Sequence, residues 1–158
     1  MPQSTPVIEA INDDPSEADR AAVMDVLRTF NRAHAHRTRL PDFAVLLRDP
    51  DSGAAIGGLI AEDSYGWAFI RYLVVPENCR GQGLGSRLMA EAEAIAKARG
   101  HVGIWLDTYD FQARPFYEKL GYEVFGTLED VPSSNGSGDG ADKGGPGARG
   151  QFFLKKRF

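Results

Sequence analysis

The segment that most limits how this chain can fold is a glycine-rich loop at residues 80–85 (RGQGLG), between an apolar strand and a helix. Backbone N–H groups in the first turn of a helix have no intrahelical partner, and the helix dipole adds partial positive charge there. Glycines let the backbone approach an anion closely, and Arg80 adds planar donors that suit phosphate oxygens. The pattern predicts a pyrophosphate site. The alternative, a plain strand-to-helix turn, does not require three alternating glycines.

The spacing of this loop disfavours two familiar phosphate-binding motifs. A Walker loop has lysine and then serine or threonine after its last glycine, whereas Gly85 is followed by Ser86 and Arg87. A dinucleotide fingerprint has glycines at its first, third and sixth positions, whereas here they stand at 81, 83 and 85. Neither nucleotide hydrolysis nor NAD binding is therefore expected.

The composition indicates one globular domain over residues 1–158, because this length with 42% hydrophobic residues suffices for one core. No apolar run reaches the roughly 18 residues of a membrane span, and no signal-peptide pattern opens the chain, so we expect a cytoplasmic protein with no membrane partner. The single cysteine, Cys79, and three histidines argue against a disulfide or a zinc site, so no metal is expected. A net charge of −4 argues against nucleic acid as a partner.

Hydrophobic periodicity predicts the order of helices and strands. A short strand is expected at 7–11, followed by a helix that begins at a cap formed by Asp14 and then by a second short helix or a loop over 31–40. The first helix should pack one apolar stripe against a core: Val23, Val26, Leu27 and Phe30. Further strands are predicted at 42–49, 55–63, 66–75, 101–107, 122–127 and 151–157, and further helices at 86–99 and 111–120.

These elements predict an α+β fold, a mixed but mostly antiparallel sheet with helices on both faces. Short turns make the strands between 42 and 75 antiparallel neighbours, whereas a crossover helix before 101–107 implies one parallel pair. Residues 132–150 are rich in Gly, Ser and Asp, so a flexible loop is predicted there. The terminal strand 151–157 is expected to be exposed, and its free edge makes a homodimer an alternative to a monomer.

Two motifs resemble those of the GCN5-related N-acetyltransferases (GNAT). The loop at 80–85 matches the Arg/Gln-x-x-Gly-x-Gly/Ala pattern of that family, and residues 116–122 (FYEKLGY) match its second signature at the usual separation. The resemblance covers about residues 7–128 and the last strand. It implies a sheet splayed at its middle, with acetyl-coenzyme A as cosubstrate in the split.

The same resemblance implies which residues bind that cosubstrate. The strand before the loop would lend backbone hydrogen bonds to the pantetheine arm, and the loop would hold the pyrophosphate. The family often has Asn where this chain has Asp110, three residues before Ala113, at a position near pantetheine. The candidates are Leu73, Val74, Val75, Arg80, Gly81, Gln82, Gly83, Leu84, Gly85, Ser86, Asp110 and Ala113.

Acetyl transfer to an amine needs a neutral nucleophile, a polarised thioester carbonyl and a proton for the leaving thiolate. The resemblance assigns the proton to Tyr117, because the ordinary phenol pKa of about 10 lies only modestly above that of a thiol. The alternative for this tyrosine is core packing. Candidate bases at strand ends are Glu62 and Asp107, with a water relay as the alternative, whereas Asp63 is better interpreted as a solvated turn residue. A backbone N–H near Val75 would polarise the carbonyl.

The acceptor is less defined by the sequence. Trp67, Tyr72 and Trp105 are candidates to line its pocket, although strand aromatics more often belong to a core. A basic cluster within 32–39 favours an anionic acceptor, whereas the otherwise acidic N-terminal half favours a cationic amine. The leading hypothesis is an N-acetyltransferase that acts on a primary amine of a small molecule or peptide. The alternative is a non-catalytic acyl-CoA binding or sensing module on the same fold.

Overall fold

The structure is a computed structural model that describes residues 5–129 and 150–158. It comprises two compact units, 1–38 and 39–158, which we describe separately. The flexible loop predicted at 132–150 lies outside the described residues except for Gly150, which begins the last strand. Within the described ranges, no helix is long and apolar enough to cross a bilayer. The single domain expected from the composition stays a prediction.

The first unit contains helix α1 (Glu17–His34), whose start is fixed by Ser16 and not by Asp14. The Ser16 hydroxyl accepts a hydrogen bond from the backbone N–H of Asp19 at 3.1 Å, which satisfies a free donor of the first turn. The predicted cap is wrong by two residues, because Ser16 offers an equivalent acceptor and leaves Pro15 outside the helix. The helix runs on to His34, so no second helix forms over 31–40.

Another expectation for this unit is wrong. Residues 7–11 form no strand, and Val7 is 91% exposed, because apolar side chains alone do not supply the partner backbone that a strand needs. Within this unit no residue of α1 is buried, so the packing of its apolar stripe against a core stays a prediction. Periodicity gives a helix an apolar face, but it does not specify the surface that buries it.

The second unit is built on a six-stranded sheet in the order β1-β2-β3-β4-β6-β5. Only β3 and β4 are parallel, and the other neighbours are antiparallel, which confirms the predicted mixed α+β fold. The strands are β1 (Phe43–Arg48), β2 (Ala55–Ser64), β3 (Trp67–Val74), β4 (Gly103–Tyr109), β5 (Glu123–Glu129) and β6 (Gly150–Arg157), and the helices are α2 (Leu84–Ala98) and α3 (Arg114–Lys119).

The boundary between α2 and β4 differs from the prediction by two residues. The strand expected at 101–107 begins only at Gly103, after the helix has ended at Ala98. Gly100 has a φ of +74°, which stops the helix, and the backbone N–H of His101 still bonds the Ala96 carbonyl at 2.9 Å. His101 therefore belongs to the closing turn of α2 and not to the strand.

Strand β6 lies inside the sheet, between β4 and β5. The free edge predicted for 151–157 is wrong, because the strand pairs along its length with antiparallel neighbours on both sides. The dimerisation route inferred from that edge is therefore lost. The two edge strands of this sheet are β1 and β5.

Strands β3 and β4 separate after a short pairing. Their ladder joins residues 68–70 of β3 to residues 104–106 of β4 and then stops. β3 continues to Val74 along β2, with a bulge that leaves Arg71 without an opposite residue, while β4 continues to Tyr109 along β6. A bulge increases the local twist of a strand, which helps the two strands diverge. The sheet is thus split at its middle, as predicted.

The core of this unit lies between α2 and one face of the sheet. The helix buries Leu88, Met89, Ala92 and Ala96. Opposite them, the central strands contribute side chains with at most 1% exposure: Leu59, Ile104, Leu106 and Leu154. This packing fixes the start of α2, and hence the glycine loop, relative to the split.

Asp63 and His101 form a buried pair between the end of β2 and the start of β4. His101 Nε2 lies 2.7 Å from Asp63 Oδ1, and the side chains are 0% and 1% exposed. The other carboxylate oxygen accepts the Tyr65 backbone N–H at 3.2 Å. The interpretation of Asp63 as a solvated turn residue is wrong, because the β2–β3 turn directs it inward onto His101. The pair ties this hairpin to the end of α2.

Replacing His101 by Leu is expected to lower the free energy of unfolding by about 3–5 kcal/mol, because the Asp63 carboxylate stays buried without its partner. Urea denaturation followed by circular dichroism measures the change. As a control, Glu118→Gln breaks an exposed ion pair with Arg114 and should cost less than about 1 kcal/mol. Equal losses in the two variants would contradict the assignment of a buried, stabilising pair.

Candidate active site

The glycine loop joins the end of β3 to the start of α2. One turn of 3₁₀ helix (Glu77–Cys79) follows the strand, and the chain then passes through Gly81 and Gly83, whose φ angles are +75° and +72°. Residues with a Cβ rarely adopt this left-handed region, so both positions favour glycine. A Cβ added at either glycine would meet no atom within 4 Å, so the space in front of the loop is open.

Among the described residues, the backbone donors at the start of α2 lack protein acceptors. Gly83 is the N-cap of the helix and offers no side-chain oxygen. The first amide of this turn with a backbone acceptor is that of Arg87, which bonds the Gly83 carbonyl at 3.1 Å. The N–H groups of Leu84, Gly85 and Ser86 therefore remain free. Free donors facing open space fit the diphosphate of a coenzyme.

Arg80 lies at the entrance of the loop with an exposed side chain. Its Nε donates a hydrogen bond to the Val75 carbonyl at 3.1 Å, immediately after the last residue of β3. Within the part of the chain that the structure describes, the terminal guanidinium nitrogens make no further hydrogen bond. The cation is thus held beside the loop with donors left for a phosphate, and the neighbouring Gln82 is exposed as well.

Gly85 serves close packing, unlike the two glycines before it. A Cβ at this position would lie 3.1 Å from Phe116 Cζ, so the ring of Phe116 fits directly against the start of α2. Phe116 in turn makes an edge contact with Tyr117, with ring centroids 5.0 Å apart. This contact brings α3, and the second of the two sequence motifs, beside the glycine loop. The predicted role of Gly85 in cofactor binding stays a prediction.

The walls of the split come from β3 and from the turn after β4. Leu73, Val74 and Val75 lie beyond the last residue that β3 pairs with β4, so backbone groups on that side have no ladder partner. Across the split, the backbone N–H of Asp110 bonds the Gly150 carbonyl at 3.0 Å, and its side chain is exposed. Ala113 immediately precedes α3.

Tyr117 is 7% exposed and packs between Phe116 and Tyr122. Burial, with a smaller contribution from the negative charge of Asp107, raises the pKa of its phenol to about 12. Among the described residues, every buried side-chain oxygen has a hydrogen-bond partner. The Tyr117 hydroxyl has no partner among them, so it must reach solvent. The sequence analysis expected the pKa of this phenol to lie only modestly above that of a thiol. In the folded protein the difference between the two pKa values is larger.

Asp107 lies on β4 where the split begins, half-buried. Its Oδ2 accepts a hydrogen bond from Gln151 Nε2 at 2.7 Å. Within residues 5–129 and 150–158, no donor contacts Oδ1, so this second oxygen also remains open to solvent. The Asp107 charge is near enough to influence the pKa of both Tyr117 and Arg71.

Glu62 has a different partner. Its two carboxylate oxygens accept Arg71 Nε at 2.7 Å and Nη2 at 2.9 Å, a bidentate pair between β2 and β3. The Arg71 hydrogen bonds hold the pKa of Glu62 below its ordinary value, against a smaller opposing effect of burial. Glu62 is therefore a weaker proton acceptor than an unpaired carboxylate.

The sheet face that carries these carboxylates is aromatic. Phe69 and Trp105 stack with centroids 4.1 Å apart, and Arg71 lies over the Phe69 ring. A groove of about 490 Å³ is lined by Ser64, Trp67, Trp105, Phe125, Phe153 and Lys155. Two of the three aromatics predicted for an acceptor pocket thus line a groove, while Tyr72 is 63% exposed.

Sequence reasoning missed Arg71 and Gln151. Arg71 stood out only as a charge within an apolar strand, and Gln151 only as a polar residue after a Gly-rich stretch. Their roles depend on strand register, which joins them to Glu62 and Asp107 at separations of 9 and 44 residues. Within the described ranges, no cluster of three His, Cys, Asp or Glu side chains is placed to hold a metal ion.

Comparisons with known proteins agree with this geometry. The family model described as the Acetyltransferase (GNAT) family matches residues 6–122. Acetyltransferase Atu2258 of Agrobacterium fabrum is 34% identical over 118 residues, 75% of this chain and 85% of that protein. Blasticidin-S acetyltransferase of Streptomyces morookaense is 33% identical over 130 residues, 82% and 90% of the two chains. A crystal structure from Agrobacterium tumefaciens, described as an acetyltransferase, superposes with a TM-score of 0.80 at 29% identity and covers 96% of this chain and 100% of its own.

The chain therefore belongs to the GNAT acetyltransferase family, and it is an N-acetyltransferase enzyme. The two motifs that carried the resemblance lie together in the structure. The glycine loop and Tyr117 flank the same split, joined through the contact between Gly85 and Phe116.

Gly83→Val is expected to abolish the thermal stabilisation of the protein by acetyl-coenzyme A, because the branched side chain fills the open space before the free amides. Differential scanning fluorimetry measures the shift. Gly53→Val is the matched control: Gly53 has a φ of +70° and equally open surroundings, but it lies in the turn between β1 and β2. The control should keep the ligand-induced shift. A shift retained in Gly83→Val, or lost in both variants, would refute the assigned binding site.

Proposed function

We propose that this enzyme transfers the acetyl group of acetyl-coenzyme A to a primary amine by direct attack of the amine on the thioester. The observation that supports this most strongly is the position of the unbonded amides of the glycine loop at the end of a split strand pair. A diphosphate held there would direct its pantetheine arm along residues 73–75. Bound acetyl-coenzyme A would supply an activated acetyl group between Asp107 and Tyr117.

Asp107 is the better candidate for the base. Its Oδ1 is open to solvent and its hydrogen-bond partner is uncharged, whereas Glu62 is occupied on both oxygens by a guanidinium. Asp107 would take one proton from the acceptor ammonium and later release it to water. The freed amine lone pair would then form the C–N bond as the C–S bond breaks.

Tyr117 would act on the leaving sulfur. Its phenol would donate a hydrogen bond to the thiolate, pass its proton to the sulfur and take the second nitrogen proton in exchange. The products are then the amide, a free thiol and one proton released through Asp107. Because the Tyr117 pKa of about 12 lies well above the ordinary thiol value of about 8.5, charge stabilisation by the hydrogen bond is the main contribution.

A small-molecule amine is the favoured acceptor over a peptide amine. The relative named blasticidin-S acetyltransferase supports this choice, because it matches over most of both chains. The carboxylate of Asp107 beside an aromatic sheet face also favours a cationic amine. A homodimer and a cytoplasmic location remain predictions from the sequence.

Tyr117→Phe is expected to lower kcat about 10- to 100-fold, the loss of one hydrogen bond to a charged group, with little change in KM for acetyl-coenzyme A. Thiol release measured with a disulfide reagent follows the reaction. Tyr122→Phe is the control: that hydroxyl bonds Glu93 on α2 at 3.2 Å and helps to anchor the helix, so its loss should lower kcat far less than the loss of the Tyr117 hydroxyl. Because the Tyr117 phenol stays protonated up to about pH 11, its removal should leave the alkaline limb of kcat unmoved below that pH. Unaltered turnover would remove Tyr117 from the mechanism.

Wild-type enzyme is expected to release coenzyme A thiol with cationic small-molecule amines, blasticidin S among them, faster than with a lysine-containing peptide. The measurement is an amine panel at fixed acetyl-coenzyme A, with product mass confirming one added acetyl group. The expected preference follows from the match to blasticidin-S acetyltransferase over most of both chains. Binding of acetyl-coenzyme A without thiol release on any amine would instead favour a sensing module.

A further inference from the structure

We propose that Gln151 is a positioning residue that holds the Asp107 carboxylate in the orientation in which it accepts the acceptor's ammonium proton. The inference deepens the proposed function and rests on it. It concerns a residue outside both sequence motifs, on the strand that returns to the middle of the sheet.

Strand pairing fixes the position of the Gln151 backbone, from which its side-chain amide extends. Gln151 lies opposite Tyr109 on β4 and opposite Leu128 on β5, so its backbone is paired on both sides. Asp107 lies two residues from Tyr109 on the same sheet face. The glutamine side chain therefore spans one diagonal step of the ladder and donates from Nε2 to Asp107 Oδ2 at 2.7 Å.

The chemistry of the donor matters as much as its position. An amide fixes the direction of a carboxylate without adding a positive charge, whereas the guanidinium on Glu62 neutralises its partner. The Gln151 bond occupies Oδ2 and leaves Oδ1 open to the acceptor. Two ionisable groups on adjoining elements, Arg71 on β3 and Tyr117 on α3, lie close enough for the Asp107 charge to raise their pKa values.

The decisive measurement is the pH dependence of the defect in Gln151→Leu. With blasticidin S, or the fastest amine of the panel, kcat should fall about tenfold near neutral pH, where the amine is protonated and needs the base. The defect should shrink as the pH approaches about 10, because the amine then loses its proton unaided. KM for acetyl-coenzyme A should not change.

Two further variants separate orientation from folding. Gln151→Glu keeps the side-chain size but faces Asp107 with a second carboxylate, so kcat should fall and its acid limb should move to higher pH. Arg157→Leu, on the exposed end of the same strand, is the matched control and should keep wild-type kcat at every pH. Retained stabilisation by acetyl-coenzyme A shows that each variant is folded.

The outcomes distinguish this inference from the proposed function. A wild-type enzyme that acetylates no amine overturns both. If the wild-type enzyme is active and either Gln151→Leu or Gln151→Glu matches its kcat at all pH values, only the role of Gln151 is overturned. A loss in Gln151→Leu that is the same at all pH values also overturns it, because a structural defect does not depend on the protonation of the acceptor. A pH-dependent loss in both variants supports it.

Discussion

The early end of the β3–β4 ladder is the constraint on which the rest of the structure depends. After residues 68–70 and 104–106, each strand continues along another neighbour, so backbone groups facing the gap lose their ladder partners. Such groups are costly to bury unbonded, so the gap must open to solvent or to a ligand. The glycine loop follows one of these strands and α3 follows the other, which places both sequence motifs at the same opening.

Side-chain contacts hold the two halves of the split sheet in place. On one side, the buried pair of Asp63 and His101 joins the β2–β3 hairpin to the end of α2. On the other, Lys156 on β6 bonds both oxygens of Glu93 on α2, at 2.9 and 3.0 Å. Tyr122 donates to the same carboxylate, and burial raises the pKa of its phenol. Helix α2 is thus anchored to both halves, so its free N-terminal amides keep a fixed position at the gap.

The fold could be predicted from the sequence where local chemistry determined the outcome. The hairpins, the parallel pair and the glycine-rich turn into α2 follow from turn residues, apolar runs and glycine spacing. The hairpins and the parallel pair are confirmed, and the turn differs from the prediction only in that α2 begins at Leu84 and not at Ser86. Long-range pairing was the failure: β6 enters the middle of the sheet, and Asp63 turns inward onto His101. Neither feature can be predicted from the local sequence, because strand order and side-chain partners are set by contacts between distant residues. The same reason hid the Gln151 contact to Asp107.

The electrostatics of the split explain how two similar carboxylates come to differ. Glu62 and Asp107 both lie near strand ends, and no feature of the sequence ranks one above the other as a base. In the structure, the β3 bulge leaves Arg71 free to engage Glu62 with two hydrogen bonds, which fixes that carboxylate as an anion. Arg71 thereby directs its charge at Glu62, while Asp107 meets a neutral amide and keeps one oxygen open. The backbone irregularity that helps to part the strands thus also separates a structural carboxylate from one available for proton transfer.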